Sequence, residues 1–145
     1  MKRKILPVSQ VDASVSLPGS KYLANRLVII AALAEGDVRL DNVVINDDIN
    51  TATDGLNALG YCLERTQTKE SCAIKSTPRQ AVLRKPAHIY TSHSGTFSRF
   101  ITAVAALESQ PVSIKGSDKM NSRPMAELFD ALEQLGVSIS SPNGQ

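Results

Sequence analysis

Two basic side chains accompany the start of an apolar helix near the beginning of the chain. Pro18 and Gly19 interrupt the segment before it, and Ser20 is the type of residue that caps a helix N-terminus. Lys21 and Arg26 come next, although the macrodipole already makes this end of a helix positive. An anion bound between the two cations would offset that repulsion. The alternative is a core helix whose Lys and Arg are solvated, and this stretch alone favours neither interpretation.

A second apolar helix follows a comparable group of side chains. Ser94 and Thr96 carry hydroxyls that can hydrogen-bond anion oxygens, and Gly95 allows a ligand to approach the backbone closely. Arg99 adds a cation one turn further on. An ordinary N-cap turn, with Ser94 as the cap, is the alternative interpretation. Taken singly, this group is explained better by the N-cap turn than by an anion site.

A third basic group precedes the last predicted helix. Arg123 stands beside Pro124, a residue suited to the first turn of a helix, and is again at the unfavourable end for a cation. Three such groups converging on one cleft would suit a substrate that carries phosphate and carboxylate groups. The acidic pair Asp47 and Asp48 is explained fully by helix capping, so a general-base role is the weaker interpretation.

The elements that must position these groups alternate between strands and helices. Alternating or extended patterns predict strands at residues 11–17, 37–43, 87–90 and 111–115. Helical spacing of apolar residues predicts helices at 20–34, 46–59, 97–107 and 124–135, and residues 27–33 are apolar on nearly every side, which predicts burial. Residues 61–65 and 72–75 would form a β-hairpin, with 81–83 and 137–139 as further short strands.

The two halves of the chain repeat one pattern of turn, apolar helix, strand and second helix ended by glycine. The segment at 26–33 matches that at 99–107, and the helices closed by Gly60 and Gly136 match each other. Repeated units of this kind usually pack against each other around one core. The pattern therefore predicts an α/β fold with two units, at about 17–85 and 86–145, in one compact domain.

Composition excludes several classes of function. A net charge of +2 and an aromatic content of 4% give neither the field nor the stacking surfaces of a nucleic-acid-binding protein. No apolar run is long enough for a membrane span, and no apolar segment follows the basic N-terminus as in a secretory signal. Cys62 and Cys72 are expected to be reduced thiols of a cytoplasmic protein, although a disulfide across the hairpin is an alternative. His88 and His93 lack partners at metal-ligand spacing, so no metal site is predicted.

Taken in order, these motifs resemble the EPSP synthase (3-phosphoshikimate 1-carboxyvinyltransferase) family. The resemblance rests on residues 17–26, 31–36, 46–48, 94–99 and 119–124, so it spans nearly the whole chain. The sister family that acts on UDP-N-acetylglucosamine is a less good match at the opening motif. The resemblance implies βαβαββ units, three to a lobe, with buried helices and outer sheets. It also implies that residues 1–16 belong to the other lobe, and that residues 17–145 form an incomplete lobe.

The resemblance further implies transfer of an enolpyruvyl group from phosphoenolpyruvate to shikimate 3-phosphate, without a metal or organic cofactor. By position, Lys21 and Arg123 would contact phosphoenolpyruvate, with Gly95 and His93 near it, and Arg26 would contact shikimate 3-phosphate. Such cations would stabilise the anionic substrates and the departing phosphate. Glyphosate would compete for the phosphoenolpyruvate site. The remaining substrate-site positions implied by the motifs are Tyr22 and Thr96.

Three departures from the family pattern affect this site. Tyr22 stands where the family has Ser and would crowd the shikimate phosphate, His93 replaces an Asn, and Phe100 replaces a Pro. Family members are much longer, and their catalytic Asp, Glu and Lys would lie beyond Gln145. We therefore expect no catalytic residue in this chain and no turnover by it alone. It would need the missing lobe or would self-associate. The alternative is a non-catalytic anion-binding or interaction module, from a truncated or divergent relative.

Overall fold

The protein is described from a computed structural model, which covers residues 3–15, 17–68 and 72–142. Within these ranges the chain contains both helices and strands, and the fold is of the mixed α/β class that the sequence predicts. The elements, in chain order, are α1 (Lys21–Leu33), β1 (Val38–Asp41), α2 (Asp47–Ala58), β2 (Cys62–Gln67), β3 (Cys72–Thr77), β4 (Ala87–Tyr90), α3 (Gly95–Ala105), β5 (Val112–Lys115), α4 (Asp118–Asn121) and α5 (Ala126–Gln134).

The strands form two small sheets. β3 lies between β1 and β2 and is antiparallel to both, so Lys75 faces Arg39 on one side and Glu64 on the other. β4 and β5 are parallel, with Ile89 opposite Ile114, and α3 connects them as a crossover helix. The predicted hairpin is therefore confirmed, and the second sheet is built from a β-α-β unit.

Side-chain caps begin the three longest helices. The hydroxyl of Ser20 accepts from the Leu23 amide at 3.4 Å, and that of Ser94 accepts from the Phe97 amide at 3.3 Å. Asn46 accepts from the Ile49 amide at 3.1 Å and opens α2. These bonds satisfy amides that have no partner within the helix. The starts of α1 and α2 agree with the sequence prediction, whereas α3 begins at Gly95, two residues before the predicted start at 97.

One core runs beneath both sheets. Phe97 of α3 packs so closely on α2 that a methyl group added to Gly55 would lie 2.6 Å from its ring. The ring thus occupies the space that a larger residue at position 55 would need. The other large apolar side chains that are fully buried come from α1, α2, the residue after α2, β3 and α3, namely Val28, Ile49, Leu56, Leu59, Ile74 and Ile101.

A nearly enclosed ion pair ties the segment after β3 to the end of α3. Arg79 donates from both terminal nitrogens to the carboxylate of Glu108, at 2.7 and 2.8 Å, and the Glu108 side chain is only 2% exposed. The same guanidinium donates to the carbonyl oxygens of Leu59 and Ala81 and lies 4.8 Å from the centre of the Tyr61 ring. The hydrogen bond to Glu108 raises the pKa of Arg79, and burial raises the pKa of Tyr61.

Three predicted strands are wrong within the described residues. Residues 11–15 and 17, residues 81–83 and residues 137–139 carry no strand, and Ser16 lies outside the described residues. Alternation marks a segment that suits a sheet, but a strand also needs a neighbour whose amides and carbonyls complete the ladder. The short helix α4 was not predicted from the sequence.

The outer face of α1 differs from the prediction of a helix buried on every side. Val28, Ala31 and Ala32 are buried, whereas Leu23, Ile30 and Leu33 are 55%, 62% and 44% exposed. The exposed residues recur at helical spacing, so α1 presents an apolar stripe to solvent.

The two cysteines are free thiols and lie at opposite ends of the hairpin. Cys62 is paired with Thr77 and Cys72 with Gln67 across the ladder. The expected reduced thiols are therefore confirmed, and the alternative of a disulfide across the hairpin is wrong. Among the described residues, no helix is long and apolar enough to cross a membrane.

Candidate functional site

Lys21, the first residue of α1, is engaged by an acidic side chain of α2. Its ammonium nitrogen lies 2.6 Å from Oδ2 of Asp48, the second residue of α2, and the Lys21 side chain is 53% exposed. The first turn of α2 is the favourable end of a helix for a carboxylate, and the first turn of α1 is the unfavourable end for an ammonium. The two helix starts thus lie side by side, and Asp48 partly neutralises Lys21.

The contact with Asp48 also affects the protonation of Lys21. The hydrogen bond to Asp48, and next the charge of that carboxylate, raise the pKa of Lys21 above its ordinary value of 10.5. Lys21 is therefore an ammonium at neutral pH, as an anion-binding side chain must be.

Arg26 extends from α1 towards α3. Its Nη1 donates to the carbonyl oxygen of Tyr22 at 2.9 Å, and its guanidinium carbon lies 5.9 Å from the centre of the Phe100 ring. A cation over an aromatic face is attracted by the ring quadrupole. The Tyr22 side chain itself is 73% exposed, beside Lys21 in the first turn.

A tight turn between β4 and α3 presents His93. Ser92 has φ 53°, in the left-handed region that few residues other than glycine adopt. The turn is held because Thr91 donates its amide to the Lys115 carbonyl at 2.8 Å and accepts from the Ser98 hydroxyl at 2.8 Å. His93 is exposed, and its Nδ1 shares a 2.9 Å hydrogen bond with the hydroxyl of Ser117.

The N-terminus of α3 is covered by the guanidinium of Arg123. A methyl group added to Gly95 would lie 2.5 Å from Nη1 of Arg123, so a larger residue at position 95 would displace the guanidinium from this position. Arg99 reaches the same region, donating to the Gly95 carbonyl at 3.3 Å and to the Pro124 carbonyl at 3.0 Å. Thr96 follows Gly95 in the first turn and is half-buried.

The predicted site residues thus fall into two groups. Lys21, Tyr22 and Arg26 lie at the start of α1, whereas His93, Gly95, Thr96 and Arg123 surround the start of α3. The contact between Arg26 and Phe100 links the groups. In the described ranges no ion pair or hydrogen bond joins Lys21 to the second group directly.

Three further residues take part that the sequence analysis did not assign to the site. Asp48 had been explained by capping alone, Phe100 was noted only as a departure, and Ser117 was not singled out. Their partners are distant in sequence, so no local pattern could have identified them. No group of three or more metal-ligating side chains is present in the described parts of the chain.

The geometry therefore places four basic side chains, Lys21, Arg26, Arg99 and Arg123, around two capped helix starts, an arrangement typical of proteins that bind anionic substrates. The sequence model of EPSP synthase (3-phosphoshikimate 1-carboxyvinyltransferase) matches residues 5–145. The chain belongs to the EPSP synthase family.

Individual relatives agree with this assignment. The chain is 34% identical over 133 residues to the 3-phosphoshikimate 1-carboxyvinyltransferase of Tolumonas auensis and 35% identical to that of Serratia proteamaculans. Each alignment covers 92% of this chain and 31% of the relative. The chain thus spans about a third of the length of these curated relatives.

The fold is similar to that of solved structures. An EPSP synthase from Acinetobacter baumannii superposes with a TM-score of 0.72 over 90% of this chain and 30% of that protein. At 17% sequence identity this likeness shows the fold alone.

Proposed function

We propose that this chain supplies part of the substrate site for enolpyruvyl transfer from phosphoenolpyruvate to shikimate 3-phosphate, and that it is inactive alone. The observation that carries the proposal is the placement of the Arg123 guanidinium, a group able to form paired hydrogen bonds, over Gly95, the first residue of α3. Guanidinium groups and helix N-termini both suit phosphate and carboxylate oxygens. Membership of the EPSP synthase family supports the choice of substrates.

The proposed roles follow the two groups of residues. Arg123, Gly95, Thr96 and His93 receive phosphoenolpyruvate together with Lys21, and Arg26 receives the phosphate of shikimate 3-phosphate, next to Tyr22. These residues bind and neutralise the substrates and supply no acid or base for proton transfer. Catalysis therefore requires groups outside this chain, contributed by a second lobe. Glyphosate is expected to compete with phosphoenolpyruvate.

The free thiols Cys62 and Cys72 support the cytoplasmic location expected from the sequence. The proposed reaction belongs to aromatic amino-acid biosynthesis through the shikimate pathway. No resident cofactor is part of the proposal, since the anionic groups of both substrates are met by protein cations.

Calorimetric titration of the 145-residue chain with shikimate 3-phosphate tests the proposal. We expect saturable binding that weakens about 10- to 100-fold in Arg26→Ala, because hydrogen bonds to a charged group are among the stronger ones. Arg39→Ala is the matched control: it removes the same charge, but Arg39 pairs with Asp41 on β1. A mixture of the chain with both substrates should release no phosphate.

The other outcomes separate the proposal from a simple anion-binding module. Inorganic phosphate bound as tightly as shikimate 3-phosphate would favour the module. Equal loss of binding in Arg26→Ala and Arg39→Ala would show that binding depends on the net charge of the chain and not on a specific contact with Arg26. No binding at millimolar ligand would contradict the proposed substrate site.

A further inference from the structure

The ammonium of Lys21 already has an anionic partner within the chain. Oδ2 of Asp48 lies 2.6 Å from Nζ, and the Asp48 side chain is only 23% exposed, against 53% for Lys21. A substrate anion that binds Lys21 therefore arrives beside a fixed carboxylate.

The side-chain cap of α2 does not depend on Asp48. Asn46 already caps the helix, and Asp47 supplies a second acidic side chain to the same first turn. Asp47 is exposed, whereas Asp48 is turned towards α1. The macrodipole favours both carboxylates, so it explains the acidic pair but not the direction of Asp48.

We propose that Asp48 is a built-in competitor for the anion site at Lys21, so that the site holds only anions that gain a second cationic contact. An ammonium has three donors, and Asp48 takes one of them. A ligand that accepts hydrogen bonds from the other two N–H groups of the ammonium brings its negative charge close to the carboxylate of Asp48, and the two charges repel. This inference rests on the proposed role of Lys21 in substrate binding.

Competition by Asp48 discriminates between ligands, because some anions gain a second cationic contact and others do not. A small anion that meets Lys21 alone gains little, because Asp48 offsets the charge of the ammonium. A ligand with two anionic groups, such as a phosphate ester that also carries a carboxylate, has a second group for another cation, and in the proposed site that cation is Arg123 or Arg99 at the start of α3. Asp48 thereby lowers the affinity for every anion, and it leaves bound only those that are large enough to contact more than one basic side chain.

The test compares two variants that change net charge equally. In calorimetric titrations with phosphoenolpyruvate, Asp48→Asn is expected to bind about two- to fivefold more tightly than the wild-type chain, the range that corresponds to a solvent-exposed ion pair. Asp47→Asn alters the same helix turn and removes the same charge, but it breaks no contact with Lys21. It should match the wild type to within about twofold. Inorganic phosphate should also bind Asp48→Asn more tightly than the wild type, because the carboxylate opposes any anion at Lys21.

Lys21→Ala distinguishes failure of this inference from failure of the proposed function. If Lys21→Ala weakens binding but Asp48→Asn binds no more tightly than Asp47→Asn, Asp48 is not a competitor and the site itself stands. Weaker binding by Asp48→Asn would show that Asp48 positions Lys21, which also overturns the proposal. No effect of Lys21→Ala, or no binding by any variant, would overturn both.

A measurement on the wild-type chain covers the case of an unstable variant. In carbon-detected NMR, the carboxyl signal of Asp48 should shift as phosphoenolpyruvate is added, because the ligand takes donors from the same ammonium. The Asp47 signal is the internal control and should move less. An unchanged Asp48 signal at saturation would contradict competition at Lys21.

Discussion

At the scale of single residues, the neighbours Lys21 and Tyr22 differ in the contacts and the exposure of their side chains. Lys21 is held by Asp48, whereas the Tyr22 ring is 73% exposed in the same helix turn. In the proposed site this exposed ring is next to Lys21, which would contact the ligand. Its carbonyl oxygen, and not its hydroxyl, is what accepts from Arg26.

Replacing Tyr22 by serine tests whether the ring obstructs the site. Tyr22→Ser should bind shikimate 3-phosphate about two- to tenfold more tightly, since it removes the bulk and adds a hydroxyl in the first helix turn. The exposed ring contributes little packing, so the thermal midpoint should change little. Tyr22→Phe keeps the bulk and should bind as the wild type does. Weaker binding by Tyr22→Ser in calorimetry would show that the ring contributes to recognition.

The Lys21–Asp48 pair predicts a pH dependence of stability at the alkaline end. Because the folded-state pKa of Lys21 is raised above 10.5, the pair stabilises the fold fully below that value. This stabilisation is lost as the pH rises through the folded-state pKa. Since Lys21 is half-exposed, the contribution should stay below about 1 kcal/mol.

Urea unfolding of the wild type and Asp48→Asn at increasing pH measures this effect. The difference in unfolding free energy should be constant through neutral pH and should disappear once Lys21 deprotonates. Asp47→Asn should show no such alkaline change. A difference that persists unchanged above that pH would mean that Asp48 stabilises α2 by its charge at the helix N-terminus instead.

The positions of the proposed ligand contacts could be predicted from the sequence because each belongs to a short local motif. Ser20 and Ser94 begin their helices as expected, so Lys21 and Gly95 follow at the helix starts. The contacts of Asp48 and Phe100 could not be predicted, since they depend on how α1 lies against α2 and α3. The substrate roles of these residues stay predictions.

At the scale of elements, helices were easier to predict than strands. A helix satisfies its hydrogen bonds within one segment, so spacing and caps at Asn46 or Ser94 were enough to locate it. Residues 11–17 have the alternation of a strand but lack one in the described positions, because a ladder needs a partner. The unit boundary near residue 85 also stays a prediction.

The Arg79–Glu108 pair is the element-scale feature that the sequence did not reveal. The sequence analysis assigned no role to Arg79, but its bidentate bond joins the segment after β3 to the segment after α3. Arg79→Ala should lower the unfolding free energy by about 3 kcal/mol, because it leaves the nearly enclosed Glu108 carboxylate without a partner. Urea denaturation followed by circular dichroism measures this loss.

Two comparisons make this prediction specific. Arg79→Lys keeps the charge but loses the paired geometry and the stacking on Tyr61, so it should recover only part of the stability. Arg39→Ala breaks the exposed Arg39–Asp41 pair and should cost less than about 1 kcal/mol. Equal effects of Arg79→Ala and Arg39→Ala would show that burial of the first pair does not matter.

At the scale of the whole molecule, the exposed stripe of α1 is the main departure from the sequence prediction. Leu23, Ile30 and Leu33 are apolar at helical spacing yet open to solvent. Apolar composition predicts that a face will be covered, but it does not say by which chain. The chain spans about 31% of the length of its curated relatives. Another part of a longer chain and a second copy of this chain are therefore both candidates to cover the apolar stripe of α1.

We expect the 145-residue chain by itself to self-associate through this stripe, because burying contiguous apolar side chains is favourable. Light scattering should give a mass that rises with protein concentration. Ile30→Glu should abolish the rise, since a carboxylate would have to be desolvated at the centre of the stripe. Val82→Glu is the matched control, as Val82 is 68% exposed but lies outside α1. A mass of one chain at every concentration, or an equal effect of both variants, would exclude the α1 stripe as the surface that drives association.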